Sequence, residues 1–128
     1  MAKISSGAAG EILAARFLLD KGYRLLATNY RSRFGEVDII AEIDRFLVFV
    51  EVKTRGENAY FEPREAVTSS KQQKIIKAAM GYIAQHPTDR QPRFDVIEVY
   101  SDPKSPMKAK EIRHLENAFD NAGRSFGF

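Results

Sequence analysis

The stretch Phe46-Leu47-Val48-Phe49-Val50-Glu51-Val52-Lys53 decides how this chain is read. Five apolar residues in a row, rich in Val and Phe, indicate a strand buried on both faces. The run then ends in a carboxylate and an amine two residues apart. Residues i and i+2 of a strand point to the same side. Leu47, Phe49, Glu51 and Lys53 therefore share one face, and Phe46, Val48, Val50 and Val52 share the other. Ionisable groups at the end of so apolar a strand are costly unless paired or bound to something.

The preceding segment repeats the pattern. Residues 36–43 (EVDIIAEI) read as a strand, with Glu36, Asp38, Ile40 and Glu42 on one face and Val37, Ile39, Ala41 and Ile43 on the other. Asp44-Arg45 is a short connection, so the two strands form a hairpin. A symmetric register about that turn sets Asp38 directly across from Glu51. Two facing carboxylates repel unless a cation lies between them.

A third acid comes from a helix expected over residues 8–21, Ala- and Leu-rich and followed by Gly22. At about 100° per residue, Arg16 and Asp20 mark its polar side, and Glu11 lies roughly 140° from Arg16. Glu11 shares its side with Ala14, Ala15 and Leu18 and faces inward near the helix N-terminus, where a carboxylate is favoured. Taken singly, Glu-x-Lys reads as a surface ion pair, Glu11 as a first-turn acid and Asp38 as a turn anchor. Their convergence is what points to a site.

Around this centre the chain orders as α-β-β-β-α-β with a further short strand. A strand is expected over 23–30, a polar loop over 54–66, a second helix over 68–86 stopped by Pro87, and a strand from Arg93 to Tyr100. Ser101–Lys110, with two prolines, reads as a mobile loop, 111–115 as a short edge strand and 117–128 as a loose tail. The expected class is α/β: a single domain, residues 1–128, with a mixed sheet and a helix on each side.

Composition narrows the chemistry. The chain has 128 residues, 44% hydrophobic and 29% charged, a net charge of +3 and a pI near 9.2. A basic balance is compatible with a polyanionic partner. There is no Cys, and His86 and His114 stand far apart. Zinc and thiolate sites are disfavoured, and oxygen ligands favour Mg²⁺ or Mn²⁺. No apolar run suggests a signal peptide or a membrane span, so a cytoplasmic protein with no membrane partner is expected. Asp38, Glu51 and the carbonyl of Val52 suffice to hold one such ion, with Lys53 placed to orient water or stabilise an anionic transition state. That set suits hydrolysis of a phosphodiester.

Gly35-Glu36-Val37-Asp38 followed by Glu51-Val52-Lys53 resembles the core of the PD-(D/E)xK, or restriction-endonuclease-like, nuclease superfamily, with Val37 where the superfamily name has Pro. The leading helix with Glu11 is similar to that of the archaeal Holliday-junction resolvases. More closely, the chain resembles the bacterial YraN-like family, uncharacterised and regarded as endonuclease-like. The resemblance rests on Gly10-Glu11, Asn29-Tyr30-Arg31, residues 35–40, residues 49–55, Lys71, and residues 93–96. It implies a restriction-endonuclease-like fold, Asp38 and Glu51 as metal ligands, Lys53 as the catalytic lysine, Glu11 as the helix-borne acid, and Lys71 near the site.

Lys71, Lys74 and Lys77 recur every three residues on the second helix and suit phosphate contact, though such a run is as often a solvated face. Arg31 and Arg33 precede Gly35. Arg55 and Arg64 lie in the loop after the central strand with Tyr60 and Phe61, which either stack on a base or anchor the loop. Asp95 reads as structural, paired with Arg93 or a lysine. The leading expectation is a Mg²⁺- or Mn²⁺-dependent nuclease acting on DNA, including branched or structured forms, where a homodimer would suit a symmetric junction. Two alternatives stand beside it. One is a nucleic-acid-binding module without turnover; the other is an adaptor that binds a protein partner through Phe61 or the C-terminal segment.

Overall fold

The computed structural model describes residues 5–56, 67–102 and 104–120. The elements run α1 (Ser6–Asp20), β1 (Arg24–Ser32), β2 (Gly35–Ile43), β3 (Phe46–Arg55), α2 (Ser69–Gln85), β4 (Gln91–Asp102) and β5 (Ser105–Phe119). The five strands lie in sequence order, β1-β2-β3-β4-β5. Every neighbouring pair is antiparallel except β3 and β4, which are parallel and joined through α2. The mixed sheet flanked by two helices is the architecture expected from the sequence.

Each helix begins at a capping side chain. Ser5 Oγ accepts from the Ala8 N–H at 3.1 Å, and Thr68 Oγ1 accepts from the Lys71 N–H at 3.2 Å. Gly22, at φ 91°, turns the chain out of α1. Gln72, buried in the first turn of α2, donates to the Val67 carbonyl at 2.9 Å. α1 and α2 cover opposite faces of the sheet. Ala14 and Leu18 of α1 pack on Ile39, Val48, Val50, Ile97 and Val99. Ile75, Ile76, Ala79 and Tyr82 of α2 pack on Ile40, Leu47, Phe49, Phe94 and Val96. β3 thus divides its side chains between the helices in the expected alternation.

The β2–β3 register is also as expected, running from Ile43↔Phe46 to Ile39↔Val50. β2 departs from strict alternation beyond that point. Val37 packs with Ile40 on the α2 side, not with Ile39. Between the Thr28↔Ile39 and Tyr30↔Val37 pairs stands Asn29, with φ 52°. A left-handed residue inside β1 rotates the local faces, and Tyr30 and Val37 turn together toward Tyr82.

The C-terminal third differs from expectation. In place of a loop over 101–110, β4 runs on to Asp102 and turns at once into β5, with Asp102↔Ser105 and Ser101↔Ala109 paired. The prolines suggested a loop. Residue 106 nevertheless falls within β5, an edge strand, where proline is tolerated, and the register of β4 with β5 shifts near Ser101. β5 is a 15-residue strand, not the short one expected at 111–115. Of the segment read as a loose tail, Ala118 and Phe119 are fully buried, with the Phe119 ring stacked on Phe94 at 5.3 Å. Residues 121–128 lie outside the described residues.

One close approach seats α1 on the sheet. A Cβ on Gly10 would collide with Thr54 Oγ1 of β3, so with any larger residue here the Thr54 side chain or the helix must shift. Glu11 is the next residue. Gly10→Ala is expected to lower stability by about 1–3 kcal/mol, and Thr54→Ala in the same chain to remove most of that cost. A double-mutant cycle in urea checks this, and equal costs of Gly10→Ala in both backgrounds would rule out the clash.

Candidate functional site

Beyond Ile39↔Val50 the β2–β3 ladder gives way to a side-chain contact. Asp38 Oδ2 accepts from the Val52 N–H at 2.7 Å. The carboxylate thus takes a place that a β2 carbonyl would otherwise occupy, and Glu51 is the residue of β3 just before Val52. Glu51 is only 4% exposed, although it is an acid. Its Oε1 lies 2.9 Å from Lys71 Nζ in the first turn of α2. Val52 turns its side chain to the α1 side.

Glu11 reaches this place from the opposite helix. With its amide nitrogen turned to the carboxylates, Asn29 donates to Glu11 Oε2 at 3.1 Å and to Glu36 Oε1 at 3.3 Å. The left-handed Asn29 is therefore a bridge between two acids as well as a bend in β1. Burial, then the charge of Glu51 and more weakly that of Glu11, push the Asp38 carboxyl up to about 7. The Val52 N–H and the Lys71 charge oppose this without cancelling it. Lys71 is raised in turn, first by its hydrogen bond to Glu51.

The carboxylates open on a cleft of about 450 Å³ between β2, β3 and the start of α2. Glu36, Asp38 and Glu51 line one side, and Ser70, Lys71 and Lys74 the other. The β1–β2 turn closes one end, where a Cβ on Gly35 would come within 3.1 Å of Lys74 Cβ. A wider depression of about 790 Å³ lies elsewhere, among Phe46, Met80, Ile83, Pro92 and Phe94. The smaller cleft is the candidate site because the acids with unrelieved repulsion face it.

The remaining expected residues divide. Lys53 follows Glu51 on β3, half-buried, and among the described residues no carboxylate pairs with it. Lys74 is exposed on the cleft wall. Arg31 and Arg33 are exposed on β1 and its turn, with the Arg33 guanidinium 4.8 Å over the Phe34 ring. Arg55 belongs to β3, not to the following loop; its side chain is 10% exposed and lies 3.2 Å from Glu98. Arg64, Tyr60 and Phe61 fall outside the described residues.

Asp95 is structural, as expected, and more heavily engaged than a single ion pair. Arg93 binds both its oxygens at 2.9 and 2.8 Å, His114 Nε2 lies 2.7 Å away, and the Asn117 N–H donates at 3.0 Å. Burial would raise its carboxyl, but the bonds from His114, Arg93 and Asn117 hold it below the usual value. Sequence reasoning missed Glu36 as a cleft residue and Asn29 as the bridge between Glu11 and Glu36, although both lie in the motif segments. It also missed the Lys71–Glu51 contact, whose sequence signal is only a lysine early in a helix.

Among the described residues no three Asp, Glu or His side chains converge closely enough to form a ligand cluster. The donor set is the Asp38–Glu51 pair with the backbone at Val52. That pair suits a hard divalent cation: the ligands are oxygens, and their mutual repulsion is what a cation relieves. No helix among the described residues is long and apolar enough to cross a membrane.

Residues 10–99 match the family described as Uncharacterised protein family UPF0102. A UPF0102 protein of Caldanaerobacter subterraneus subsp. tengcongensis is 45% identical over 118 residues, spanning 91% of this chain and 96% of its own. Another, from Thermodesulfovibrio yellowstonii, is 43% identical over 119 residues, 93% of this chain and 99% of its own. One from Alkaliphilus oremlandii is 47% identical over 116 residues, 88% of this chain and 96% of its own.

The raised Asp38 has a consequence for stability. The folded chain holds this proton more tightly than the unfolded one, so ionising Asp38 weakens the fold as pH climbs from about 4 to about 7. Asp38→Asn keeps an acceptor for the Val52 N–H. In chelating buffer at about pH 8 it is expected to be more stable than wild type by on the order of 2 kcal/mol, the gain shrinking toward about pH 5. Thermal melts across that range check this; a gain that does not vary with pH would exclude the repulsion.

Proposed function

This chain belongs to the uncharacterised protein family UPF0102, the YraN-like family, and we propose that it is a Mg²⁺- or Mn²⁺-dependent nuclease of restriction-endonuclease-like fold that hydrolyses DNA phosphodiesters. The observation that carries the reading is the Asp38–Glu51 pair at the end of an apolar sheet, Glu51 buried and Asp38 half-buried, with Asp38 pushed up to about 7. An acid pair so placed is expensive for the fold and useful only to something positive. The strand order, with Lys53 two residues after Glu51 on the central β3, supports the same assignment.

Asp38, Glu51 and the Val52 carbonyl would hold the ion. When bound, it supplies positive charge to the phosphate oxygens and makes the attacking water more acidic. Lys53 follows Glu51 on the same face of β3, and its ammonium would serve the attacking water or the charge developing on the phosphate. Glu11, tied to Glu36 through Asn29, adds negative potential behind the pair. Lys74 on the cleft wall and the exposed Arg31 and Arg33 meet flanking phosphates, which position DNA without reading its sequence. The second reading, a nucleic-acid-binding module without turnover, is favoured by one contact: Lys71 already neutralises Glu51.

Labelled duplex, single-stranded and four-way-junction DNA, each incubated with Mg²⁺ or Mn²⁺, separate the two. Wild type is expected to cut at least one of them. Lys53→Ala and Asp38→Asn are each expected to slow cutting by about 100-fold or more while leaving binding in chelator within a few-fold. Tight binding with no cutting would move the assignment to the binding module. Cutting that survives both substitutions would remove the site.

A further inference from the structure

The cation that the acid pair calls for has a resident substitute. Lys71 Nζ lies 2.9 Å from Glu51 Oε1. The two ends of that contact are unlike: the Glu51 side chain is 5% exposed, the Lys71 side chain 48%. One partner is locked near the end of the central strand; the other reaches in from solvent. The backbone of Lys71 is fixed by the Thr68 cap, so its movement is confined to a long side chain with an open path out of the cleft. A buried carboxylate left without a partner is strongly destabilising, so while the cleft holds no other cation the ammonium stays on Glu51.

Resting on the nuclease reading above, we propose that Lys71 is a positioning residue that acts as a competing counter-cation: it must leave Glu51 before a divalent ion is held there, and the phosphate backbone of DNA takes it up. Two cations within a few ångströms of one carboxylate repel each other, so Lys71 weakens metal binding to the free protein. A DNA phosphate in the cleft offers the displaced ammonium a new partner at the cleft mouth, beside Lys74. Metal and DNA then favour each other's binding through one side chain. By linkage the effect is reciprocal: each ligand raises the affinity of the other by the same factor. The protein is thereby kept from loading its metal until its substrate is present. The same exchange resolves the tension in the site, since the contact that satisfies Glu51 in the free chain is the contact that substrate removes.

The test is calorimetric titration of Mn²⁺ into the full chain, alone and with a saturating phosphorothioate-linked duplex that resists cleavage. Wild type is expected to bind Mn²⁺ weakly alone and about 5- to 100-fold more tightly with the duplex. Lys71→Met is expected to bind Mn²⁺ about 10-fold more tightly than wild type without DNA, and to lose most of the gain from DNA. Lys71→Arg, which keeps the charge, is expected to restore the wild-type pattern, and Lys71→Gln to repeat that of the Met variant. A purely structural lysine would leave Mn²⁺ affinity unchanged or lower it on removal. Equal or weaker Mn²⁺ binding by both uncharged variants overturns the proposal while the nuclease reading stands on the cleavage assay. Absence of Mn²⁺ binding in every variant overturns it together with the metal-dependent reading.

Discussion

A slip of one residue between β2 and β3 would turn over every side chain on one strand and put Glu51 and Lys53 under α1 in place of the cleft. The register is therefore the constraint on which the site depends. Two features hold it. Asp44, at φ 50°, makes the tight turn that begins the ladder at Ile43↔Phe46. The apolar faces of β3 fit different partners: Val48 and Val50 lie under α1, and Leu47 and Phe49 under α2, where Phe49 meets Tyr82 and Phe94. Neither set suits the other helix. At the far end the Val52 N–H binds Asp38, so the site itself closes the pairing that places it.

The sheet end carries acids that do nothing for the core. Asp38 and Glu51 repel each other, Glu11 adds to this from α1, and the fold offsets the charge with local means: the Val52 N–H, the Lys71 ammonium and the Asn29 amide between Glu11 and Glu36. None of these removes the raised Asp38. Strain that a fold retains at one place, when apolar substitutions would remove it, is the usual mark of a working site.

Charged groups on the α1 side of β4 contrast with this. Asp95 is buried as deeply as any residue of the core, yet each of its oxygens is met by a donor. Arg93 also reaches the Tyr23 hydroxyl at 2.6 Å, and His114 Nδ1 lies 2.7 Å from Lys21 Nζ. The network ties the end of α1 to β4 and β5 and leaves its acid below the usual carboxylate range, the opposite of Asp38. A buried cluster in which donors meet every acid fixes one arrangement of elements, whereas at Asp38 the repulsion between acids is only partly offset.

Much of this was legible in the residues. The alternation along 46–53 and 36–43, with a short turn between, determined the hairpin, its register and the approach of Asp38 to Glu51, because a period of two leaves no freedom once both faces are buried. The helices were legible from the Ala- and Leu-rich run that ends before Gly22 and from Pro87, which stops the second, whereas their capping side chains emerged only with the fold. The C-terminal hairpin was not, because prolines and lysines spell a loop locally. Only pairing with β4 turns 105–119 into an edge strand. Asn tolerates positive φ, but nothing local marked Asn29 for a left-handed turn inside a strand, where it serves contacts to Glu11 and Glu36 from two other elements. Nor could Lys71 be matched to Glu51, since the packing of α2 against the sheet decides which of its three lysines reaches the carboxylate. The sequence by itself determined which groups would meet along neighbouring strands, where geometry is periodic. The tertiary structure alone decided which groups from separate elements would neutralise them, because that depends on how helices and strands far apart in the chain are set against one another.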